Sequence, residues 1–142
     1  MNAVATDLLV YAHREDTRWH VPARSCLRQL AEGAEPWAIP LPCIHEFLTI
    51  VTHPRIWKCP TPLPLALSAV DAWRASPQLH VLTEDAGFWP LFVSLVREAN
   101  LRGRQLHDAR IAALLLQHDV AGLWTTQRQF SRFPRLRVRN PL

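Results

Sequence analysis

Apolar residues in this chain of 142 residues change period repeatedly. Short unbroken runs give way to longer stretches in which they return every three or four positions. The first pattern reads as buried strand, the second as a helix with one apolar face. Asn2 to Ala5 is a short apolar run. Thr6-Asp7 and then Leu8-Leu9-Val10-Tyr11-Ala12 predict a helix with Thr6 or Asp7 as N-cap. From Val21 to Gly33, Pro22 suits a first helical turn and Ala23, Cys26, Leu27 and Leu30 form a stripe. Trp37-Ala38-Ile39 is strand-like, and Pro42 opens a helix presenting Ile44, Phe47, Leu48 and Val51, which ends before Pro54. The proline-rich segment 55–64 predicts a loop.

The same alternation continues to the end. Residues 65–75 predict a helix facing inward through Ala66, Leu67, Val70 and Trp73, and 79–83 a strand. Phe88, Leu91, Phe92, Leu95 and Val96 make a helical face, and 100–104 a turn. A helix over 105–118 points Ala109, Ala112, Ala113 and Leu116 inward. Strands at 120–125 and 136–138 complete the pattern. With no repeat and no boundary, residues 1–142 are expected to form one α/β domain around a mostly parallel sheet. A chain of this length can bury roughly 70% of its unfolded surface without covalent staples. Ligands of such sheets gather beyond the carboxyl ends of the strands. Chemistry is therefore expected at Ala5-Thr6-Asp7, at Glu46, at Asp108 and along Thr125 to Gln129.

Composition excludes several classes. Apolar residues make up 49% and are spread throughout, which excludes low-complexity disorder. No apolar stretch approaches the ~20 residues of a membrane span. Asp7 interrupts the first apolar run and no basic region precedes it, against a signal peptide, so a soluble cytoplasmic domain is expected. Cys26, Cys43 and Cys59 are widely spaced and odd in number, and are expected to be buried free thiols rather than a disulfide or zinc framework. Fifteen of the sixteen basic residues are arginine, and nine of those lie from Arg97 onward against three acids. A basic final third suits phosphate contacts and equally suits an ordinary solvated surface.

Four stretches, in order, carry a family resemblance. They are Val4-Ala5-Thr6-Asp7 with the Tyr11-Ala12 that follows, Ile44-His45-Glu46-Phe47, Leu106-His107-Asp108-Ala109-Arg110-Ile111-Ala112, and Leu123 through Phe130, with a tail from Phe133-Pro134 to Asn140-Pro141-Leu142. Together they resemble PIN-domain proteins, most of all the toxin subunits of VapBC toxin–antitoxin pairs, along essentially the whole chain. The resemblance implies a three-layer α/β/α sandwich and an endoribonuclease using Mg²⁺ or Mn²⁺. It also implies a cognate antitoxin, RNA as substrate and a homodimer. Hard dications prefer several converging carboxylates, and the ion so held would lower the pKa of bound water and stabilise charge on the scissile phosphate.

The resemblance places catalytic and metal-binding acids at Glu46 and Asp108. The first acid of the family falls on Ala5, and two late acids fall on Gln127 and Gln129, so the ion is expected to bind weakly. A naturally degenerate late motif accounts for the glutamines; Ala5 is open to an engineered origin as well. Asp7 either substitutes as a metal ligand or caps the first helix. Glu46 is either a cleft carboxylate or an exposed helix acid, and Asp108 either a ligand or a residue favoured by its helix dipole. Thr6 and Thr126 either hold water or phosphate or cap helices. Arg104, Arg110 and Arg128 are candidate RNA contacts or plain surface arginines. Trp73, Trp89 and Trp124 read as core or interface residues, and the apolar excess of the early helices suits antitoxin docking, homodimerisation or core.

Overall fold

Strands that lie inside a sheet covered on both faces need no polar alternation, and β2, wholly apolar, shows none. In the computed structural model, which describes residues 1–142, β1 (Asn2–Val4) leads into α1 (Thr6–His13) and α2 (His20–Glu32). β2 (Trp37–Pro40) is followed by α3 (Leu41–Val51) and α4 (Leu63–Arg74), and β3 (Leu79–Leu82) by α5 (Phe88–Glu98) and α6 (Gln105–Gln117). β4 (Gly122–Trp124), a 3₁₀ turn over Arg128–Arg132 and β5 (Arg137–Arg139) complete the chain. All four residues of β2 are buried, as are Ala3 and Val4 of β1.

The five strands form one sheet in the order β3-β2-β1-β4-β5, with every pair parallel. The chain winds outward from β1 to β3. Helices α5 and α6 then carry it back across β1 to begin β4, so the winding reverses between β1 and β4. That reversal opens a crevice at the carboxyl ends of the two strands, the usual ligand position in open parallel sheets. Val4 stands opposite Trp124 there. The expected α/β sandwich is present, and its sheet is wholly rather than mostly parallel.

Several local expectations need correction. Ala5, not Thr6 or Asp7, is the N-cap of α1, and no side chain caps it. α4 starts two residues before the expected 65 and buries Ala66 and Val70, with Trp73 half-buried, while Leu67 is 43% exposed. Ala66, Val70 and Trp73 lie on one line down the helix, and Leu67 is rotated about 100° off it. α6 is wider inside than its predicted stripe: every residue from Ile111 to Leu115 is buried, and Leu116 only half so. Contact with β2 and with α5 encloses it on more than one side. Of the three thiols only Cys43 is buried; Cys59 is exposed and Cys26 intermediate.

The proline-rich loop is held by a buried guanidinium. Arg14 Nη1 donates to Cys59 O at 2.8 Å and Thr61 Oγ1 at 3.2 Å, and the same group lies 4.1 Å from the centre of the Trp57 ring. Asp16 takes the remaining donors. Beneath the loop, Phe47 receives the edge of Trp73 at 4.8 Å and of His13 at 5.4 Å. Phe47→Ala is expected to cost about 3–5 kcal/mol in denaturant unfolding. Leu67→Ala should change it by no more than about 0.5 kcal/mol, and a comparable loss there would restore Leu67 to the core.

Candidate functional site

At the crevice the backbone brings two strand ends into direct contact. The Ala5 amide donates to Trp124 O at 3.1 Å, continuing the β1–β4 ladder by one bond before α1 begins. Asp7, in the first turn of α1, reaches across. Its Oδ1 accepts from Thr125 Oγ1 at 2.8 Å, and its Oδ2 accepts from Thr126 N at 2.7 Å and Thr126 Oγ1 at 2.6 Å. Thr125 Oγ1 accepts in turn from Gln127 N at 3.0 Å. Asp7 therefore does not cap α1; its two oxygens accept three hydrogen bonds from the segment that follows β4. Thr126 donates its hydroxyl to Asp7 and caps no helix.

Thr6 points into the interior, where its hydroxyl is buried without a hydrogen-bond partner. Its polar company is the Cys43 thiol, a weak partner. Burial pushes that thiol up to about 12, so it stays neutral and offers a cation no thiolate.

The two matched acids are linked through His107. Glu46, half-buried on α3, accepts a hydrogen bond at 2.5 Å from Nε2 of His107, which precedes Asp108 in the first turn of α6. That bond to Glu46 raises the His107 pKa above 6.5, against the lowering effect of burial. Asp108, also half-buried, has its carboxyl pushed up by burial, while the charges of His107 and Arg132 pull it down and that of Glu46 raises it. Glu46 and Asp108 thus share one electrostatic environment with His107 and Arg132. Sequence reasoning missed both of these basic groups. His107 stood inside the quoted His-Asp-Ala-Arg stretch, and Arg132 carried no signal beyond charge.

Among the arginines, Arg110 is already paired, its Nε donating to Glu84 Oε1 at 2.7 Å. Arg104 and Arg128 are exposed, at the starts of α6 and of the 3₁₀ turn, and neither forms an ion pair. Gln127 and Gln129 flank Arg128, both half-buried.

These residues do not fit a dication held by protein ligands alone. Ala5 contributes a methyl group, 1% exposed, where the family resemblance implied an acid. Asp7 already accepts three hydrogen bonds, Glu46 is shared with His107, and Cys43 is neutral. No three His, Cys, Asp or Glu side chains converge in a way that could hold a metal ion. An ion approaching Oε2 of Glu46 would compete with His107 for it, whereas Oε1 makes no hydrogen bond within the chain.

Two measurements test this geometry. Asp7→Ala strands a buried hydroxyl and an amide, so unfolding free energy is expected to fall by about 2–4 kcal/mol; an unchanged midpoint would refute the clasp. In an NMR titration, His107 should lose its proton above 6.5 and return toward 6.5 in Glu46→Gln. The ion pair then stabilises the fold fully below pH 6.5 and ceases to do so as pH rises through the elevated value.

No protein-family profile matches the chain. It is 37% identical over 142 residues to Ribonuclease VapC43 of Mycobacterium tuberculosis, covering all of this chain and 96% of that protein. It is 32% identical to Ribonuclease VapC31 of the same organism, covering 96% of each. Two solved structures share the fold, each with a TM-score of 0.68. VapBC2 of Rickettsia felis bound to a promoter DNA fragment is 19% identical, over 98% of this chain and 97% of that one. Mycobacterium tuberculosis VapC20, a sarcin-ricin loop cleaving toxin, is 17% identical, over 92% and 93%. A toxin-antitoxin complex from Klebsiella pneumoniae is also similar, with a TM-score of 0.62, 18% identity and coverage of 100% and 98%. With a full-length relative at 37% identity and the same sheet and helix framework, the chain belongs to the VapC ribonuclease family.

Proposed function

We propose that this chain is the toxin subunit of a cytoplasmic toxin–antitoxin pair, an endoribonuclease whose cleavage is weakened by the loss of acidic ligands. The observation that carries the weakening is the buried methyl of Ala5 at the head of the β1–β4 crevice. With Asp7 committed to Thr125 and Thr126, Glu46 and Asp108 are the acids left to face a cation. Mg²⁺ keeps several waters and readily takes oxygens from a substrate phosphate, so two carboxylates support loose binding of Mg²⁺ or Mn²⁺ when RNA is present. Gln127 and Gln129 offer neutral carbonyl oxygens without charge. In this reading Glu46 and Asp108 are the catalytic pair, and Arg104 and Arg128 are free to meet the RNA backbone.

An antitoxin partner is supported by relatives solved as toxin–antitoxin assemblies. The surface that suits it is a hollow of about 340 Å³ between α1, α2 and α4, floored by Leu27, Ala69 and Trp73 and edged by Arg24 and Arg28. Leu63, Leu65 and Leu67, all exposed on α4, extend that apolar area and suit either the antitoxin or a homodimer. The competing reading, a binder with no residual cleavage, rests on the same shortage of donors.

Restoring the acids separates the two. In Ala5→Asp combined with Gln127→Asp and Gln129→Asp, Mn²⁺ affinity is expected to tighten by about a factor of ten or more, since ligand charge sets affinity in oxygen sites. RNA cleavage should rise with it and vanish on Glu46→Ala or Asp108→Ala. If the starting chain cuts no RNA at any Mn²⁺ concentration, the binder is correct. If the restored variant gains neither binding nor cleavage, the assignment of the acidic positions falls.

A further inference from the structure

Beyond His107 the cleft continues into a hollow of about 580 Å³ between α5 and α6 that no step of cleavage requires. Its wall is aromatic. Phe88 and Phe92 lie 5.6 Å apart at 19°, and Trp89 stands 5.6 Å from Phe92 at 32°. Trp89 is 65% exposed, which excludes the core half of the core-or-interface reading its sequence context suggested. An indole left bare beside the half-buried Phe92 ring is a platform on which a flat heterocycle can stack, as unpaired bases do on aromatic side chains.

The mouth of the hollow decides which heterocycle. Glu84 and Asp85 stand there, each with one oxygen occupied: Glu84 Oε1 by Arg110 Nε at 2.7 Å, and Asp85 Oδ1 by Gly87 N at 2.8 Å. The second oxygen of each makes no hydrogen bond within the chain. A carboxylate oxygen only accepts. Guanine presents two adjacent donors, N1–H and the 2-amino group, on a single edge. Adenine and cytosine set one amino group beside an acceptor that a carboxylate repels, and uracil flanks its one donor with two acceptors. His107 lines this hollow and also bonds Glu46, so a base seated here lies beside the candidate cleavage site.

We propose that this hollow is a base-specificity pocket, in which Trp89 and Phe92 stack a guanine of single-stranded RNA and Glu84 and Asp85 read its donor edge. The proposal rests on the RNA-cleaving reading above, and names the nucleotide that reading would favour.

The test is binding of fluorescently labelled hexaribonucleotides to the intact chain, followed by anisotropy without divalent cation so that nothing is cut. The probes are all-uridine, or uridine with one central guanosine, inosine or adenosine. The guanosine hexamer is expected to bind at least about tenfold tighter than the others, inosine falling behind because it lacks the 2-amino group. Trp89→Ala should abolish that preference without changing the melting temperature, the ring being exposed, and Trp89→Phe should keep part of it. Asp85→Asn should narrow the gap between guanosine and inosine. RNA binding with no preference for guanosine overturns the pocket and leaves the ribonuclease reading standing. An intact preference in Trp89→Ala overturns it as well, and if that variant also sediments as a smaller species, the aromatic face belongs to a second copy of the chain. Failure to bind any hexamer overturns both readings.

Discussion

A single buried carboxylate joins the two directions in which this sheet is wound. Strands β1 to β3 spread to one side and β4 and β5 to the other, and the β1–β4 ladder is only three residues long. A ladder so short leaves the junction dependent on what lies beyond it. Asp7 supplies that connection with three hydrogen bonds to Thr125 and Thr126, at 2.6–2.8 Å, from the first turn of α1. Bonds to an ionised acceptor are about twice as strong as neutral ones. Through Thr125 the clasp also orients Gln127, and hence the start of the segment that carries Gln129.

Its consequence for chemistry is subtraction. A carboxylate that serves as a structural acceptor on both oxygens has little left for a cation. The neighbouring position is Ala5, and the remaining acids are drawn into local charge balance. Glu46 holds His107, and Asp108 feels both His107 and Arg132. In a site rich in carboxylates, the cation relieves repulsion between them, and that relief is part of the binding free energy. Here the protein's own basic groups have already supplied part of the relief, so an arriving ion gains less and must compete for Glu46.

The framework was legible in the sequence because strand and helix differ in period, and each element here keeps one period throughout. Trp37-Ala38-Ile39 could be read as a strand because nothing polar interrupts it, and the helix at 105–118 was placed to within a residue. Asp108 stood out by position, in the first turn of α6, and Glu46 by its place in the motif, in the second turn of α3. What escaped was pairing. Whether Asp7 caps a helix or spans to Thr126, 119 positions away, depends on a contact that local pattern does not contain. The same holds for His107, whose partner lies on α3, and for Leu67, whose exposure follows from how α4 is rotated against the core.

The three neutral residues at positions implied to be acidic make physical sense together. Were Ala5 alone changed, acids at 127 and 129 would remain half-buried in the segment just beyond the clasp, with a weakened cation to offset them. Like charges gathered in a partly desolvated cleft raise one another's pKa and destabilise the fold that holds them. An amide at each late position keeps the size and the acceptor oxygen and removes the charge, which is the change that relieves this cost with least disturbance to packing. Gln127 still donates its backbone amide to Thr125, so the clasp survives the substitution. The hydrogen bonds within the crevice run between protein groups, from Thr125 and Thr126 to Asp7 and from His107 to Glu46.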